Sequence, residues 1–98
     1  MNIPKQDTTQ GYQANTADRD RMALCRVLRQ ARQRAGLRQT QLAACLGTPQ
    51  SFISKYEAGQ RRLDLIELAA ICAALDISLA TLVEAFETAR RGAPDDAA

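Results

Sequence analysis

Residues 39–63 read QTQLAACLGTPQSFISKYEAGQRRL. Leu42, Ala43 and Leu46 recur at helical spacing on one side of a first segment. Gly47 then supplies the backbone freedom of a tight turn. Thr48 and Pro49 start the next helix, the third of the chain, at once, because proline suits the first helical position, where its missing N–H costs nothing. Ile53 and Tyr56 point inward from that third helix, which is expected to run to Ala58 with Gly59 as a left-handed stop. Two short amphipathic helices around one glycine turn predict a helix-turn-helix unit.

Working outward toward the N-terminus, residues 1–17 are polar, contain Pro4 and Gly11 and show no period, so a disordered arm is expected there. A first helix is expected to start near Asp18 or Asp20, either of which can cap it. It carries Leu24, Val27, Leu28, Ala31 and Ala35 inward and ends at Gly36. Toward the C-terminus, Asp64 and Glu67 have capping-box spacing ahead of a fourth helix with Leu65, Leu68, Ile71, Cys72 and Leu75 on one stripe. Ile66, Ala69, Ala70, Ala73 and Ala74 leave that helix little polar surface, so it is expected to be central or covered by a neighbour. Ser78 caps a fifth helix with Leu79, Leu82, Val83 and Phe86 at i, i+3, i+4 and i+7, and residues 90–98 read as a frayed tail. No strand pattern competes. The expected class is all-α, with a five-helix domain over residues 18–89.

Ninety-eight residues allow one small core, for which dimerisation is a common supplement to stability. Charge and polar residues interrupt every apolar run, and the start MNIPKQDTTQGYQ lacks the basic and apolar regions of a secretion signal, so a cytoplasmic protein is expected. Cys25, Cys45 and Cys72 are odd in number and lack CxxC spacing, and the chain has no histidine, so no metal site is expected. Cys25 and Cys72 fall on apolar stripes as small core residues, while Cys45 lies on the outer side of the second helix, where a redox role stays open. With no nucleophile beside a plausible base, no glycine-rich phosphate loop and no paired carboxylates in a pocket, neither an enzyme nor a cofactor is expected.

The net charge of +2 hides a strong polarity. Residues 19–62 hold ten basic side chains against Asp20 and Glu57, a balance of +8, whereas residues 63–98 hold two arginines against seven acids, a balance of −5. Eleven of the thirteen cations are arginine, whose planar fork holds phosphate better than a lysine point charge does. A polyanion suits the basic half; a set of solvated helix faces is the other reading of the same charges. On the third helix the surface left outside by Ile53 and Tyr56 presents Gln50, Ser51, Ser54 and Lys55, with no carboxylate for phosphate to repel. Glutamine can pair with adenine and lysine with the acceptor edge of guanine, each good contact discriminating by about 1–3 kcal/mol. Double-stranded DNA is the partner these residues fit, against an ordinary polar face as the alternative.

The elements AGLRQTQLAACLG, TPQSFISKYEAGQRR and LAAICAALDISLATLV, in that order between Val27 and Phe86, resemble the Xre, or Cro/CI-type, family of helix-turn-helix transcriptional regulators. The resemblance implies a lambda repressor-like five-helix domain whose third helix enters the major groove, usually as a homodimer on a palindromic operator, with the sign of regulation left open. The family's base-reading positions fall on Gln50, Ser51 and Lys55. Gln39 matches the position that clamps a backbone phosphate at a helix N-terminus, and Arg61 a basic position after the third helix, with Arg62 beside it. Arg38 departs from the family's frequent Ser or Thr cap, losing about 1 kcal/mol of capping while placing a cation near the phosphate path. Arg32 and Glu57 resemble a family pair that ties the first helix to the end of the third. Phe52 stays open between a thymine methyl and the core. Leu79, Val83 and Phe86, with Ile66 and Ala70, are the expected dimer contact. A rival reading takes the acidic C-terminal half as the seat of a different protein partner, as in an antitoxin or accessory regulator.

Overall fold

The computed structural model describes residues 14–92, which form five helices: α1 Ala14–Arg34, α2 Gln39–Leu46, α3 Gln50–Glu57, α4 Leu65–Ala74 and α5 Leu79–Arg90. No strand occurs among the described residues. The fold is all-α. The rest of the expected N-terminal arm, residues 1–13, and the tail residues 93–98 lie outside the described residues.

The helix ends follow local chemistry. Gly47, at φ 68°, closes α2 in the left-handed region, and the Thr48 N–H reaches back to Ala43 O at 3.0 Å. Asp64 accepts from the Glu67 N–H at 2.7 Å while Glu67 accepts from the Asp64 N–H at 2.9 Å, so the capping box opens α4 as the spacing predicts. Ser78 accepts from the Thr81 N–H at 2.9 Å and opens α5.

Four local expectations differ from the structure. Helix α1 ends at Arg34, and Ala35, expected inward, is exposed in the turn with Gly36. Helix α1 begins at Ala14, four residues ahead of Asp18, so residues 14–17 of the expected arm are helical. Nothing in Ala-Asn-Thr-Ala breaks a helix, and Asp18 bonds Arg21 within the helix instead of capping it. Pro49 is the cap of α3, with extended ψ of 156°, and Gln50 is the first helical residue. The Pro49 carbonyl already accepts from the Phe52 N–H at 3.0 Å, so proline forfeits nothing at that position either. Leu65 is 62% exposed although it shares the stripe of Leu68, because it stands at the first position of α4 and the row meets the core only from Leu68 onward.

Tyr56, Leu28, Leu42, Ile53, Ile71 and Cys72 are the largest fully buried side chains, drawn from α1 through α4, and Leu82 of α5 joins them. Each such aliphatic contributes about 1.5–3 kcal/mol relative to leaving it in water. Helix α5 packs along α1, where Arg90 meets Asp20 at 3.5 Å. The Cys25 thiol donates to Tyr56 O at 3.1 Å and joins α1 to α3. Burial pushes both the Cys25 and the Cys72 thiols up from their ordinary pKa. No single described helix is long and apolar enough to cross a membrane.

Candidate nucleic-acid interface

The last residue of α3, Glu57, is 3% exposed. A carboxylate buried at a helix C-terminus is doubly unfavourable, being both desolvated and facing the negative end of the macrodipole. Its neighbours offset that cost. Arg32 of α1 donates from Nε to Oε2 at 2.7 Å and from Nη2 to Oε1 at 3.0 Å, and Gln39 of α2 adds Nε2 to Oε1 at 3.0 Å. The remaining Arg32 nitrogen, Nη1, donates to Leu37 O at 2.8 Å, so one guanidinium ties α1, the α1–α2 loop and α3 together. The hydrogen bonds to Glu57 push the Arg32 pKa above its already high ordinary value.

Gln39 faces the other way as well. Its Oε1 accepts from Gln50 Nε2 at 3.2 Å, so a chain of contacts runs Arg32–Glu57–Gln39–Gln50 from α1 to the exposed start of α3. A glutamine amide carries two N–H donors and one acceptor; Gln50 keeps one N–H and its Oε1 for a ligand. Ser51 and Lys55 are exposed on α3, and Lys55 has no acidic partner among the described residues. Ser54 is half-buried and its hydroxyl donates to Ser51 O at 3.3 Å. Arg38 is exposed at the N-cap of α2, where its backbone N–H donates to Gln41 Oε1 at 2.8 Å. Gln41 thus supplies part of the cap that an arginine side chain, having no acceptor, cannot.

Phe52 and Arg61 sit together. The Phe52 ring meets Tyr56 edge to face at 5.4 Å between centroids, and the Arg61 guanidinium lies 4.6 Å from the Phe52 centroid. Phe52 is half-buried and packed against the core. Arg61 also donates to Glu67 Oε2 at 3.0 Å and to Arg62 O at 2.9 Å. These two hydrogen-bonding partners, Arg61 first and the Asp64 N–H second, hold the Glu67 carboxyl below the usual glutamate value.

On α4 and α5, Ile66 is 77% exposed and Val83 45%, and Ala70 is exposed as well. Leu79 and Phe86 are half-buried against the core. The Arg90 guanidinium lies 5.7 Å from the Phe86 centroid. No group of metal-ligating residues forms among the described residues. Sequence reasoning missed the Gln39–Gln50 contact, because glutamines 11 positions apart carry no pairing signal until the turn folds. It missed equally that Arg29 Nε stands 3.8 Å from Glu57 Oε1; the i, i+3 spacing of Arg29 and Arg32 was the available clue.

A helix-turn-helix family model matches residues 28–82. An XRE-family like protein from Pseudomonas syringae pv. tomato has a similar solved structure, with 42% identity, TM-score 0.66, and coverage of 70% of this chain and 84% of that one. The chain belongs to the XRE family of helix-turn-helix proteins. Two crystal structures of the clp gene regulator ClgR from Corynebacterium glutamicum are also similar. One has 27% identity, TM-score 0.67, and coverage of 72% and 91%; the other has 26% identity, TM-score 0.69, and coverage of 80% and 85%. No curated protein sequence matches the chain significantly. Family and fold together support a DNA-binding transcription regulator for this XRE-family protein.

Proposed function

We propose that this XRE-family protein is a cytoplasmic, sequence-specific repressor that binds a palindromic operator as a homodimer. The observation that carries the reading is the Gln39–Gln50 hydrogen bond, which orients an amide at the exposed start of α3 with a donor and an acceptor to spare. Gln50, Ser51, Ser54 and Lys55 then meet base edges in the major groove. Arg38, Gln39 and Arg61 hold the backbone, for which Arg61 exchanges Glu67 for a phosphate.

The dimer forms through the C-terminal helices. Three of the four large apolar residues exposed among the described residues, Leu65, Ile66 and Val83, lie on α4 and α5, in the acidic half that DNA would repel. Leu79, Val83 and Phe86, with Ile66 and Ala70, make the contact, and the two α3 helices sit roughly 34 Å apart or a multiple of it. The same exposed residues would serve a different protein partner if the chain were an antitoxin or accessory regulator. Light scattering of the purified chain separates the two, since only self-association gives a dimer mass without added partner.

Selection from a random duplex library tests the whole reading. Enrichment of a two-fold symmetric sequence with half-sites one helical turn apart is expected, with affinity falling steeply as salt rises. A library that emerges without enrichment defeats it.

A further inference from the structure

We propose that Arg26 and Arg29 on α1 form a second phosphate-binding row, gripping the DNA backbone beyond the base pairs that α3 reads. This rests on the DNA-binding function above. The charge balance of α1 singles the two residues out. Its acids are spent within the protein: Asp18 pairs with Arg21 at 2.9 Å and Asp20 with Arg90 at 3.5 Å. Arg32 is committed to Glu57 and Leu37. Arg26 is exposed and has no acidic partner among the described residues.

Arg29 touches an acid only at 3.8 Å, and that acid, Glu57, already holds a two-pronged pair with Arg32. The Arg29 side chain is 53% exposed, and such an exposed contact holds a guanidinium weakly enough for a phosphate to take it over.

Position favours DNA over any other anion. Glu57 Oε1, which Arg29 approaches, also accepts from Gln39 Nε2 at 3.0 Å. Arg29 therefore lies one carboxylate away from the N-terminus of α2, whose free N–H groups attract phosphate. Residues three apart on a helix stand about 5–6 Å apart between Cβ atoms, so Arg26 continues the row on the same face. Met22, one turn earlier and 57% exposed, has its Sδ 3.7 Å from where a Cβ on Gly59 would stand. The row thus reaches Gly59, in the turn that follows α3.

The test is fluorescence anisotropy with a labelled duplex of arbitrary sequence, about three helical turns long, titrated over a series of salt concentrations. Arg26→Gln and Arg29→Gln should each reduce the slope of log affinity against log salt by about 0.9, and the double variant by about twice that. Arg34→Gln, on the α1 face lining the cleft with Leu82 and Ala85, should leave the slope alone. Preference for a selected operator over the arbitrary duplex should be unchanged in all of them, because phosphate contacts carry no sequence information. Arg26 has no acidic partner among the described residues, so its variant reports binding even where Arg29→Gln loosens Glu57. A double variant with the unmodified slope overturns the proposal alone. An equal loss in Arg34→Gln also overturns it, showing an effect of total charge. An unmodified chain that binds no duplex removes this proposal together with the function beneath it.

Discussion

Gln50 donates from Nε2 to Gln39 Oε1 across 3.2 Å, so the first residue of α3 is held by the first residue of α2. In the proposed function this contact couples base reading to backbone gripping. Gln50→Ala is expected to lose about 1–3 kcal/mol of discrimination at one base pair. Gln39→Ala should lose part of the same discrimination along with overall affinity, because the freed Gln50 amide must be oriented at the moment of binding. Lys55→Ala should relax preference at a different base pair, and Arg61→Ala should weaken all sequences alike. Competition binding with single-base variants of the selected operator measures this, and identical profiles from all four variants would refute the division of roles.

Breaking the Arg32–Glu57 pair should destabilise the fold strongly. Arg32 and Glu57 side chains are 12% and 1% exposed, and removing one partner of a buried pair leaves the other uncompensated, at about 3–5 kcal/mol. Arg32→Ala is expected to cost that much in urea unfolding. Arg29→Ala, at 53% exposure, should cost about 1 kcal/mol or less. Equal losses in the two variants would contradict the geometry.

Acid should release the start of α4. Because the folded-state pKa of Glu67 lies below its ordinary value of 4.5, its contribution is complete above that value and fades as pH falls through the folded pKa. Unfolding temperatures of the wild type should therefore drop in that acid window. Glu67→Gln should flatten the drop there, and a Glu67→Gln protein that tracks the wild type from neutral pH into acid would argue against the Arg61 latch.

The three thiols should separate cleanly. Cys45 is exposed, whereas Cys25 and Cys72 are buried with pKa values raised by burial. A thiol reagent on the native protein is expected to label one cysteine quickly, lost in Cys45→Ser, and the other two only after denaturation. Fast labelling of Cys72 would mean that α4 does not pack as described.

Self-association should depend on Val83. Val83→Asp introduces a charge on the exposed face of α5, and light scattering is expected to report a monomer with unchanged helix content. A variant that keeps a dimer mass would remove this surface from the assembly.

The residues of the local chain determined most of the fold. Hydrophobic periods named most of the inward faces of α1, α2, α3 and α5, Ala35 and Val83 being exposed instead, and short-range caps such as Asp64–Glu67 and Ser78 set where α4 and α5 begin. These signals are legible because their partners stand three or four positions apart. The composition of α3 likewise exposed Gln50, Ser51 and Lys55 as residues fit to face a polyanion. Only the tertiary structure decided which of those side chains are held. The Gln39–Gln50 contact spans 11 positions, Arg32–Glu57 spans 25 and Arg90–Asp20 spans 70. It also decided that Arg61 rests on Phe52 and Glu67, and that Leu65 stays in water. The physical reason is range: periodicity and capping act within a turn or two, whereas the orientation of a long polar side chain is settled by whichever donor or acceptor another helix brings within about 3 Å.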